Sequence, residues 1–153
     1  MANIVFNVAK GRGVEYYNRV KNNDPSTSAL ILIPIETTGL ETDAALIDSL
    51  TLTEVLDGAT NEQTTMGRKT LTDTELAAFP GPDTGNDRYD VSLPTVTWTA
   101  ASGNAISKIV VAYDADTGTG TDANIIPLCM FDAVATPDGN DLQLTGGVFF
   151  RAS

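Results

Sequence analysis

The sequence predicts a mainly β fold, an antiparallel sandwich or jelly-roll-like barrel with a few short helices. Three observations carry that expectation. Short runs of β-branched and aromatic residues recur at spacings of about 8–14 residues. Turn residues stand between them, as in Ser102-Gly103-Asn104 and Pro137-Asp138-Gly139-Asn140. Several of the runs alternate apolar and polar, as in Tyr89-Asp90-Val91-Ser92-Leu93. With 153 residues the chain makes one domain, and 42% hydrophobic residues support a core without cross-links.

The chain opens on a strand-like stretch, residues 3–6. From there Ala9, Gly13, Tyr16, Tyr17 and Val20 fall on one helical face. Gly11 and Gly13 disfavour helix, so the expected helix runs from Val14 to Lys21 and stops at Asn22-Asn23-Asp24-Pro25. Residues 1–21 hold Lys10, Arg12, Arg19 and Lys21 against Glu15, a balance of +3, which leaves −14 for the rest. This split divides the chain into a basic arm with a short helix, residues 1–25, and a single β-rich domain, residues 26–153. Two readings of the arm follow. The helix packs its tyrosines on its own domain, or it is a docking arm for an acidic surface. The docking reading uses Tyr16, Tyr17 and Val20 as anchors and Lys10, Arg12, Arg19 and Lys21 as a cationic rim.

Ala29 to Ile35 is a buried strand whose Pro34 belongs at an edge or bulge. Thr51 or Thr53 caps a short helix that Gly58 ends. Arg68 to Leu71 is a short strand, and Thr72 with Glu75 forms a capping box for a helix of little more than two turns, ended by Pro80. Residues 80–87 are a dense loop and the candidate hinge. Arg88 to Asp114 reads as two adjacent strands joined by a polar turn, with a phase slip at Pro94. Its return strand, Ile106 to Tyr113, alternates weakly, so both faces should be covered. Ile125 to Ala135 and Leu142 to Phe150 complete the strands.

Composition excludes several functions. There is no histidine, hence no commonest general base, zinc ligand or pH switch. A net charge of −11 argues against a nucleic-acid partner. No apolar run reaches membrane-spanning length, and Met1-Ala-Asn-Ile-Val-Phe does not begin a secretory signal, so synthesis in the cytoplasm is expected. Cys129, alone in Ile-Ile-Pro-Leu-Cys-Met-Phe, is a buried small hydrophobe. Asp114, Asp116 and Asp122 invite a calcium reading, but Gly118, Thr119 and Ile125 occupy positions where an EF-hand needs a third ligand, a glycine and a glutamate. Asp83, Asp87 and Asp90 offer carboxylates without singling out a catalytic pair. Gly67-Arg68-Lys69-Thr70 lacks the first glycine of a phosphate loop. The expectation is a protein that is no enzyme and has no cofactor or metal.

Four stretches together resemble a family of tailed-bacteriophage virion structural proteins. They are residues 1–25 (MANIVFNVAKGRGVEYYNRVKNNDP), 67–98 (GRKTLTDTELAAFPGPDTGNDRYDVSLPTVTW), 108–128 (KIVVAYDADTGTGTDANIIPL) and 136–153 (TPDGNDLQLTGGVFFRAS). The resemblance implies membership of the virion. Joined to the acidic body and the basic arm, it points to a capsid decoration, or cement, protein. Its partners would be the major capsid protein and copies of itself, as a dimer or trimer, with no nucleic acid and no membrane. Two other readings stand beside it: another virion component (tail, head–tail joining or fibre base), and a carbohydrate- or host-surface-binding β module using the Asp-rich loops and Tyr89 or Trp98.

Overall fold

In the computed structural model the structure describes residues 4–152. Asn3, where the first expected strand begins, lies outside the described residues. The fold is mainly β and antiparallel, and its sheets do not close into a barrel. A five-stranded sheet runs in the order β1 (Ile4–Val5), β7 (Ile126–Ala135), β6 (Ile106–Asp114), β2 (Ala29–Glu36), β3 (Lys69–Leu71). The two outermost strands, β1 and β3, are the short ones, and neither pairs with the other.

The centre of the sheet follows from composition. In β2 every residue from Ala29 to Ile35 is buried, and β6 is buried from Ile109 to Asp114. Leu30, Leu32, Ile109, Val111 and Tyr113 belong to the core on one face. Ala29, Ile31, Ile33, Ile35, Val110 and Ala112 belong to the core on the other. Strands apolar on both sides have nowhere to go but between two layers. Pro34 sits inside this central strand, one residue before the register shift between Ile35 and Glu36 in its pairing with β6. Its carbonyl accepts from Gln63 N at 2.9 Å, on the side where β3 has already stopped, so its missing N–H interrupts no ladder.

One face is covered by Phe6, α2 (Asp43–Leu46) and α3 (Leu52–Leu56). Thr51 caps α3, its hydroxyl accepting from Glu54 N at 3.3 Å. The other face carries α1 (Gly13–Lys21), α4 (Asp73–Leu76) and a surface ribbon. The capping box forms at Thr72 and Glu75, though α4 is a single turn.

The ribbon corrects the sequence reading of Arg88 to Asp114. Its strands do not form a hairpin. β4 (Tyr89–Leu93) pairs with β9 (Gly147–Ala152), and β5 (Val96–Trp98) pairs with β8 (Leu142–Leu144), whereas β6 lies in the large sheet. Leu142 to Phe150 is likewise two strands, not one. The cause is the burial pattern. β4 and β5 alternate buried and half-buried, which suits a surface layer, while β6 needs cover on both faces. The phase slip at Pro94 is the break between β4 and β5. Gly146 lies opposite, where a Cβ would stand 2.6 Å from Leu93 O, so only glycine lets the two backbones meet.

Candidate interaction surfaces

The expected docking arm is part of the core. Tyr16, Tyr17 and Val20 are at most 3% exposed. The Tyr16 ring stacks on Tyr113 with centroids 4.8 Å apart, and Tyr17 meets Tyr89 edge-on at 6.3 Å. The Tyr17 hydroxyl donates to Ser92 O at 3.0 Å, and the Tyr89 hydroxyl to Asn18 Oδ1 at 2.7 Å. Burial pushes the Tyr17 phenol up to about 12. The first expectation, a helix packed on its own domain, is what the residues do. The anchor role for Tyr16, Tyr17 and Val20 is corrected, because the apolar face that would anchor a partner is spent on β4, β6 and β9.

The cationic rim is also largely engaged. Arg12 and Arg19 converge on one carboxylate, with Nε 3.3 and 3.1 Å from Glu15. The two guanidiniums, Arg12 first, hold Glu15 below its usual range. Arg12 also lies 4.7 Å over the Tyr16 ring. Lys21 donates to Phe79 O and, at 3.2 Å, to Pro80 O, so it closes the end of the α4 turn. Lys10, Arg12 and Arg19 are exposed, while Lys21 is half-buried.

The second surface was not foreseen. A groove of about 310 Å³ opens between the end of the large sheet and the ribbon. Ile106, Ile109 and residues 131–135 form one wall; Leu93, residues 142–145 and residues 147–149 form the other. Val134 is 84% exposed and Val148 51%, and both line it. They are two of the three large apolar side chains exposed among the described residues, the third being Leu50. No sequence signal marks the groove, since its walls come from segments that pair with different neighbours. On its wall, Asp132 shares the ammonium of Lys108 with Asp43, each 2.9 Å away.

Most of the remaining candidates for chemistry are engaged in structural bonds or buried. Asp114 Oδ1 accepts from Asp116 N at 3.0 Å, Asp116 Oδ1 from Gly118 N at 3.0 Å, and Asp122 chelates Arg68 with Glu62 opposite. Among the described residues no group of three or more His, Cys, Asp or Glu is placed to hold a metal ion. Asp83 and Asp90 pair with Arg88, and Asp90 also with Arg151. Cys129 is buried, and desolvation pushes its thiol up to about 12. Trp98 is 2% exposed, with Nε1 donating to Gly67 O at 2.9 Å, so it offers no stacking platform. Among the described residues no helix is long and apolar enough to cross a membrane.

These pairings set an acid response. Glu15, Glu75, Asp83, Asp90, Asp116 and Asp138 are all held below their ordinary values by hydrogen bonds or cations. A carboxylate depressed in the folded state contributes stability above its unfolded pKa, and that contribution is lost as pH falls through the folded value. We therefore expect the melting temperature to hold level from neutral pH to the carboxylate range and to fall steadily below it. Melts recorded across that span test this, and a fall already under way near pH 7 would contradict it.

Compared with known proteins, the chain matches no family model, no curated sequence and no solved structure.

Proposed function

We propose that this protein is a non-enzymatic structural component of a tailed-bacteriophage virion, a decoration protein on the outside of the head. The observation that carries the reading is the groove with Val134 and Val148 on its walls, an apolar surface suited to being covered by a partner. The resemblance of residues 1–25, 67–98, 108–128 and 136–153 to virion structural proteins supplies the setting. The charge of −11 fits an outward position, since it limits aggregation and keeps the body off packaged DNA. In this reading the fold is sandwich-like, with the ribbon laid over the large sheet. The major capsid protein and neighbouring copies are its partners, and Lys10, Arg12 and Arg19 are the exposed part of the basic end.

A cryo-EM map of the particle tests the proposal. Hundreds of copies on the shell are expected. A ring of about a dozen or fewer at the neck would make the protein a joining component instead, and absence from the particle would overturn the virion reading. Burial of Trp98 counts against a carbohydrate-binding module.

A further inference from the structure

We propose that the groove between the large sheet and the ribbon binds an extended apolar segment flanked by basic residues, supplied by another protein. The inference deepens the reading above, since it names the chemistry of the partner at that same surface.

Shape argues for an extended segment. The groove is a slot between two layers, walled by β7 on one side and by β8 and β9 on the other. β8 and β9 each have a strand partner on one side only. An added strand pairs through its backbone with such an edge and sends alternate side chains into the slot, where Leu142, Leu144 and Phe149 are half-buried. Val134 and Val148 stand where those side chains would enter.

Charge selects the partner. Asp132 lies on the wall, Asp43 beside it, and Asp138 and Asp141 on the turn leading into β8, against the ammonium of Lys108. Carboxylates are in excess around an apolar slot. A second copy seated here through a two-fold contact would bring its own Asp138 and Asp141 against these, with −11 on each chain. A segment with lysine or arginine at its ends meets the opposite sign, and that attraction weakens with salt.

The test is fluorescence anisotropy on the purified full chain. Two labelled peptides share a core of alternating valine and threonine; one has lysines at both ends, the other glutamates. The lysine-flanked peptide should bind about tenfold more tightly at low salt, and the two should converge at high salt. Val134→Lys, at a side chain too exposed to matter for folding, should abolish that preference, with an unchanged melt as control. No binding, equal binding at low salt, or binding unaffected by Val134→Lys would each overturn the inference. So would a mass that rises with concentration in the native chain and stays monomeric in Val134→Lys, since a second copy would then fill the groove. The virion reading stands or falls separately, on copy number in the particle.

Discussion

Deleting residues 1–21 should leave a chain that does not fold cooperatively. A division into a basic arm, residues 1–25, and a separate β-rich domain would imply the opposite outcome, a folded body that no longer joins the capsid. The segment contains Phe6, Tyr17 and Val20, all fully buried, with Tyr16 and Ala9 nearly so. It also contributes β1, which pairs with β7 at Cys129 and Met130 and closes that edge of the sheet. Truncating one large buried aromatic costs about 3–5 kcal/mol, and a domain of this kind has only about 5–15 kcal/mol in hand. Removing Phe6, Tyr16 and Tyr17 together costs about 9–15 kcal/mol on that scale, comparable to the whole margin, and opens the core on both faces of the sheet. Tyr17→Ala alone should cost about 3–5 kcal/mol, because it vacates a ring between Tyr89 and Phe149 and leaves Ser92 O without its donor. By contrast, alanine at Lys10, Arg12 and Arg19 together should shift the melt little, since exposed ion pairs contribute about 0–1 kcal/mol each. Circular dichroism melts of the three variants separate these outcomes. A truncated chain that melts with the full one would show that the helix is dispensable.

Trp98→Ala should destabilise the protein by about 3–5 kcal/mol. Trp98 is the largest fully buried side chain among the described residues, and it ties β5 to the segment before β3 through Gly67 O. The loss has two parts: a cavity under the ribbon, and a carbonyl left without its donor. Trp98→Phe separates them, since the ring is largely retained and the hydrogen bond is not, and about 1 kcal/mol is expected from the bond. Chemical denaturation should show a lowered midpoint with little change in slope. An unaltered midpoint for Trp98→Ala would mean that the ribbon does not rest on this side chain.

Local chemistry was legible in the chain. A threonine cap at 51 or 53, the capping box at Thr72, the stop after Lys21, the short strand ending at Leu71 and the two-sided burial from Ile109 to Tyr113 are set by residues within a turn or two of each other. Buried Gln63 was not legible. Its side chain donates to Asn104 O at 2.8 Å and accepts from Thr65 N at 2.8 Å, so it joins loops that are 41 residues apart in sequence. The groove was illegible for the same reason: half-apolar stretches such as Leu142 to Leu144 carry no mark of which strand they will face.

By itself, then, the sequence determined the mainly β character, the apolar face of the N-terminal helix and the break at Pro94. The tertiary structure decided who pairs with whom. Adjacent runs that suggested a hairpin at Arg88 to Asp114 separate, because alternation in β4 and β5 satisfies one buried face and β6 demands two. The same competition for cover drew Tyr16, Tyr17 and Val20 inward, since an apolar helix face beside an uncovered sheet is better buried than displayed.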